Sequence, residues 1–196
     1  MAVRGRPREF DVDGALDAAI LVFWERGYEG TTLDDLTEAM GVARPSLYAA
    51  FGNKEGVFRR AVARYAEVDM AYVAEALTKP TPREVARHYL HQNVLAITQP
   101  DRPPGCLSIQ GGLAGSTADQ AVVDFLRDSR RAGEQAIAAR LQEFVDDGRL
   151  PAGEDAAELA TFLVATTSGM AVEAVNGASR ATLMAVADRA LTAFPA

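Results

Sequence analysis

The chain has 196 residues, a net charge of −7, 48% hydrophobic residues and a mean hydropathy of −0.04, which suits one or two compact domains with a substantial core. No uninterrupted apolar run approaches the roughly 18 residues of a membrane span, MAVRGRPREF lacks the apolar core of a signal peptide, and a single cysteine excludes an internal disulfide. The acid excess argues against an indiscriminate nucleic-acid coat, since even residues 1–60 hold 8 Lys and Arg against 10 Asp and Glu. The expectation is a cytoplasmic protein without membrane contact, in which any DNA contact comes from sidedness of charge.

In chain order, residues 1–9 form a basic arm. Its Arg4, Arg6 and Arg8 either reach phosphates and the minor groove or belong to a solvated tail. A first helix over about 13–26 carries the apolar stripe Leu16, Ile20, Phe23 and Trp24 and ends at Gly27. Residues 31–51, TTLDDLTEAMGVARPSLYAAF, read as a short helix, a glycine turn and a second short helix. Thr32 and Asp35 have capping-box spacing, and Leu33, Leu36 and Met40 make one stripe. Gly41 suits a left-handed C-cap, and Pro45 suits the first turn of the next helix. With Leu47 and Phe51 turned inward, Arg44, Pro45, Ser46 and Tyr48 face out. Two short helices joined this way form a helix-turn-helix, although the spacing alone also fits an ordinary helical hairpin.

A fourth helix is predicted from Lys54 to about Thr78, with Val57, Phe58, Ala61, Val62 and Tyr65 packed beneath the motif. Two prolines in Lys79-Pro80-Thr81-Pro82 break it. Further helices are predicted over about 82–98, 106–114, 118–147, 155–176 and 179–194, with no repeat and no convincing strand, so the fold class is all-α. The helix over 155–176 is rich in Ala, Thr, Ser and Gly, which lets helices approach closely.

The block from about residue 10 to 65 resembles the N-terminal DNA-binding domain of the TetR/AcrR-type transcriptional regulators. The resemblance rests on Phe23, Gly27, Tyr28, Thr31, Thr32, Leu36, Gly41, Val42, Leu47, Tyr48, Phe51, Lys54 and Glu55 in that order, and it covers about the first third of the chain. It implies a flexible arm over 1–9 and a helix-turn-helix domain over 10–65. A long helix would join this to a helical regulatory and dimerisation domain over 66–196. It also implies a homodimer through the last two helices, a palindromic double-stranded operator and a repressor released by a small molecule, with no enzyme activity, cofactor or metal.

Chemistry and motif position together assign the DNA contacts. Thr32 at a helix N-terminus, with Tyr48 and Lys54, is expected on phosphate. Arg44 is expected to read guanine, with Pro45 and Ser46 at the same helix end and Pro45 near a thymine methyl. For the effector pocket the candidates are Tyr65, Met70, Tyr72, His88, His91, Leu95, Cys106, Phe125 and Phe144. For the dimer interface they are Leu163, Thr167, Met170, Leu183, Val186 and Leu191. Cys106, after a Pro-Pro-Gly loop at a helix start, is either a thiol sensor or a small buried hydrophobe. Glu84, His88 and His91 share a helical face, but no second ligand cluster accompanies them, so no metal is expected. An enzyme lacks support: Gly111-Gly112-Leu113-Ala114-Gly115 is glycine-rich but follows no strand. A helical ligand-binding protein without DNA activity is the other alternative.

Overall fold

The computed structural model describes residues 11–113, 120–151 and 153–195, and among these the regular structure is entirely helical. The arm residues Arg4, Arg6 and Arg8 lie outside the described residues.

Helix α1 (Val12–Gly30) starts at Asp11, whose carboxylate accepts from the amides of Asp13 and Gly14, and bends at Gly27, where φ is 69°. That left-handed position is natural for glycine, and the Thr31 hydroxyl then donates to the Gly27 carbonyl at 2.7 Å. Helices α2 (Leu33–Met40) and α3 (Arg44–Phe51) follow, with Gly41 at φ 64° between them, as the sequence predicts. Helix α4 (Lys54–Val68) is capped by Asn53. Phe23, Tyr28 and Phe58 interlock edge-on and stacked beneath this motif, with ring centroids 4.9 Å apart for Phe23–Phe58 and 5.1 Å for Tyr28–Phe58. Leu36, Leu47 and Val57 close the same core.

The predicted continuous fourth helix is corrected: the chain breaks at Asp69–Met70 and restarts as α5 (Ala71–Leu77). Neither Gly nor Pro causes the break. The Asp69 carboxylate turns inward to the Arg102 guanidinium at 3.1 Å, and the amides of both Asp69 and Met70 return to the Tyr65 carbonyl.

The remaining helices are α6 (Pro82–Ile97), α7 (Leu107–Leu113), α8 (Gln120–Asp146), α9 (Ala156–Val175) and α10 (Arg180–Ala193). Helix α9 packs on α8, α6, α10 and α7, while α7 touches both α1 and α8 and so ties the first helix to the later ones. Gly105, at φ 91°, sits where a Cβ would meet the Val175 side chain at 2.7 Å, so only glycine lets the loop before α7 lie against α9. By length and composition α9 alone among the described helices meets the minimum for a membrane span, although Glu158, its threonines, Ser168 and Glu173 interrupt the apolar run. Its packing on α6, α7, α8 and α10 gives the apolar composition another use.

Candidate nucleic-acid interface and internal cavity

The outer side of α3 presents Arg44, Pro45, Ser46 and Tyr48, all exposed, on a helix turned inward by the fully buried Leu47 and by Phe51. Ala43 at the N-cap supplies no side-chain cap, so this helix end stays open. Arg44 donates from Nε and Nη2 to one oxygen of Asp34, at 3.2 and 2.7 Å, and both side chains are more than half exposed. The pair is a surface contact that a guanine or phosphate can replace.

Two of the proposed phosphate contacts are placed otherwise than expected. The Thr32 hydroxyl is spent in a complete capping box. It accepts from the Asp35 amide at 3.2 Å and donates to the Asp35 carboxylate at 2.7 Å, while the Thr32 amide donates to the same carboxylate at 2.8 Å. The hydrogen bonds from Thr32, with a smaller part from Arg26, hold the Asp35 carboxyl below its ordinary range. The Lys54 ammonium points inward, donating to the carbonyls of Tyr28 at 2.9 Å and Thr31 at 3.0 Å and lying 4.2 Å from the Tyr28 ring centre. With two of its three N–H groups committed, it ties α4 to the loop before α2.

Behind this reading face lies a cavity of about 390 Å³. Val62 and Tyr65 of α4, Tyr72 and Leu77 of α5 and the intervening Met70 form one side. Tyr89 and Asn93 of α6, Cys106, Ile109 of α7, Arg130, Glu134 and Ile137 of α8, and Val164 and Thr167 of α9 form the rest. The walls are predominantly apolar, with paired polar groups set into them. Asn93 Nδ2 donates to the Tyr72 hydroxyl at 2.9 Å, and the Tyr89 hydroxyl lies 3.4 Å from Thr167 Oγ1. The Tyr65 hydroxyl donates to Cys106 Sγ at 3.4 Å, and that sulfur lies 3.1 Å from Ser108 Oγ. Burial pushes all three phenols up, so they act as neutral hydroxyls.

The family model for bacterial regulatory proteins of the tetR family matches residues 15–61. The HTH-type transcriptional repressor ComR of Escherichia coli (strain K12) is 36% identical over 194 residues, spanning 98% of this chain and 92% of that protein. The chain belongs to the TetR family. The HTH-type transcriptional regulator YezE of Bacillus subtilis (strain 168) is 36% identical over 152 residues, covering 77% of this chain and 78% of that one. Among solved structures, a cysteine-substituted form of the TetR family transcriptional regulator CifR, complexed with a 26-base-pair operator duplex, is 42% identical. It covers 97% of this chain and 100% of that one, with a TM-score of 0.91. The chain is accordingly a TetR-family DNA-binding transcriptional regulator.

Of the pocket candidates, Tyr65, Met70, Tyr72 and Cys106 line the cavity of this TetR-family protein, and the other five do not. His88 lies 3.3 Å from Glu75, and His91 bonds Asp188 of α10 at 2.8 Å. Leu95 is exposed. Phe125 lies under the Arg59 guanidinium, and Phe144 is core, flanked by Arg140 and Arg149. The reason on α6 is rotation. Residues 88, 91 and 95 share one stripe, while the cavity is reached from Tyr89 and Asn93, four residues apart on another. Asn93 inside the apolar stripe Val85, Tyr89, Leu90, Val94 was the sequence signal for a polar cavity wall. Glu84 accepts from the Thr81 hydroxyl as a helix cap, and among the described residues no group of three or more His, Cys, Asp or Glu is placed to hold a metal ion.

The dimer candidates also move. Leu163, Met170, Leu183 and Leu191 are buried within their own chain, and Thr167 lines the cavity. Val186 alone of the six is exposed, and the outward apolar side chains that the sequence reading missed on α9 are Phe162, Val172 and Val175.

Proposed function

We propose that the protein is a homodimeric repressor of the cytoplasm that reads a palindromic operator and lets go of it when a small molecule fills the cavity. Residues 10–65 read DNA and residues 66–196 bind effector and dimerise. The observation that carries this reading is the pairing of an open, exposed recognition face on α3 with an apolar cavity whose wall includes Val62 and Tyr65 of α4, the helix that supports that face. Arg44 reads base edges, Pro45 and Ser46 sit at the same groove-facing end, and Tyr48 fixes phosphate register. Operator binding by the CifR relative supports a duplex partner.

The homodimer uses the outward side of α9 and α10. Phe162, Val172, Val175 and Val186 are apolar and exposed, and a two-fold pairing there would put two α3 helices on one side of a duplex. Recognition helices one DNA turn apart, about 34–36 Å, then match a palindrome.

Cys106 adds a second mode of release. Its thiol is buried in the cavity wall, bonded to Tyr65 of α4, so a modified sulfur would displace that helix. Thiol labelling of native protein tests this mode, and absence of reaction at neutral pH ends it.

The deciding experiment for the main reading is selection of bound duplexes from a random DNA pool, repeated with Arg44→Ala. An enriched palindrome whose definition fades in the variant is the expected result. No enrichment at low salt by folded, ligand-free dimer would refute the reading.

A further inference from the structure

The polar groups around the cavity are unequally matched. Each phenol has a side-chain partner, and so does Glu134, which accepts from the Thr161 hydroxyl at 2.6 Å. Arg130 differs. Its guanidinium is half-buried in the cavity wall, and among the described residues its hydrogen bond is Nη1 donating to the Ser108 carbonyl at 2.6 Å. Among the described residues no carboxylate pairs with it, whereas the similarly sheltered Arg64 and Arg102 each hold an aspartate. Burial lowers the Arg130 pKa, consistent with a cation drawn away from water without a counter-ion. Among the described residues nothing takes the other four of the guanidinium's five N–H donors, which suits them to a ligand. Leaving a sheltered charge unpaired is costly, so the position favours an anion.

The rest of the wall restricts which anion. Val62, Met70, Ile137 and Val164 offer hydrocarbon surface, and the volume falls at the low end of the range of small-molecule sites, about 300–1,000 Å³. Glu134, one helical turn beyond Arg130 on α8, opposes a second negative group. We infer that the cavity binds an amphipathic monocarboxylate, its carboxylate forked on Arg130 and its hydrocarbon body along Val62, Met70, Ile137 and Val164. The inference rests on the cavity being the effector site.

The test is calorimetric titration of the full-length protein with octanoate and hydrocinnamate, each against its primary amide. Emission of Trp24, the sole tryptophan, gives a second readout, because its ring meets the edge of Tyr65 at 5.1 Å. At least one acid should bind about tenfold or more tightly than its amide, the margin expected of a forked, charge-assisted contact. Arg130→Gln should abolish that preference while changing amide binding less than about twofold, and Arg130→Lys should keep part of it. Suberate should bind more weakly than octanoate. The inference is overturned if neither acid binds, if an amide matches its acid, if the preference survives in Arg130→Gln, or if suberate equals octanoate. Operator release separates the two readings. Octanoate that binds through Arg130 yet leaves the operator complex intact refutes the effector reading and spares the carboxylate site. Release by octanamide alone does the reverse.

Discussion

The first four helices and the last six enclose comparable apolar side chains but close around them differently. In α1–α4 three rings interlock at 4.9–6.2 Å, a threonine and an aspartate close a capping box, and Lys54 fastens two carbonyls. In α5–α10 the helices leave, against the inner side of α4, a cavity of about 390 Å³. The buried side-chain atoms without a hydrogen-bond partner follow the same division. Among the described residues Trp24 Nε1 is in the first region, while Asp69 Oδ2 lies at the junction and His88 Nε2, Asn93 Oδ1, Gln110 Oε1 and Arg140 Nε lie beyond it. Void and unpartnered atoms both raise the free energy of the second region, and a ligand of the right shape would fill the void and could pair Asn93, which lies in the cavity wall. The contrast is one between a part that holds a geometry and a part left incomplete so that something else can finish it.

The largest test of that contrast compares two truncations. Phe58→Ala removes the ring at the centre of the closed region and should cost about 3–5 kcal/mol, seen as a large drop in the denaturation midpoint together with loss of operator binding. Val164→Ala removes two methyl groups that already face a void, and should cost under about 1 kcal/mol. Equal costs would mean that the cavity wall is as tightly held as the aromatic cluster.

The same division decides what was legible in the sequence. Signals in α1–α4 are local. The capping box spans three residues, Gly41 and Pro45 mark a turn by their own backbone limits, and the stripe of Leu36 and Met40 is a matter of period. The helix-turn-helix and its exposed Arg44, Pro45, Ser46 and Tyr48 could therefore be read directly. Lys54 could not, because its partners stand 26 and 23 residues upstream. The cavity depends on pairs farther apart still, such as Tyr89 with Thr167, and on how far each helix is rotated. Helix α9 is apolar on nearly every side, so its period did not say which face turns inward, and the buried Leu163 and Met170 were taken for the outer face. The α4–α5 break has no local signal at all, since the Asp69–Arg102 contact makes it.

The next two tests separate a DNA contact from a structural tie within the closed region. Arg44→Ala should relax sequence preference by about 1–3 kcal/mol in duplex selection, with the melting temperature unchanged, because its partner among the described residues is the exposed Asp34. Lys54→Ala should do the opposite. Loss of two charged hydrogen bonds and a ring contact should lower stability by about 1–2 kcal/mol, while the slope of affinity against salt changes by less than about one unit. A full unit of slope with no change in melting would return Lys54 to the phosphate backbone.

The smallest effect is one of sign. Asp17 of α1 accepts from Arg64 Nε and Nη2 at 2.5 and 2.8 Å, and this hydrogen bond, against the opposing pull of burial, holds its carboxyl below the usual carboxylate range. A carboxyl lowered on folding stabilises the protein above its unfolded pKa, near 4, and loses that contribution as pH falls through the folded value. Asp69 at the junction runs the other way. Burial outweighs the attraction of Arg102 and raises its pKa, so taking up a proton as pH falls favours the folded state. Melting temperatures measured between about pH 5 and 3 should therefore fall less steeply in Asp17→Asn than in the parent protein, and more steeply in Asp69→Asn. Asp17 stays partly exposed, so screening keeps its share small and added salt should shrink it further, whereas the sheltered Asp69 should respond little to salt. Slopes that shift in the same direction in both variants would mean that the junction carboxylate is as well compensated as the one on α1, and the division between a satisfied region and an unsatisfied one would then begin later in the chain than Asp69.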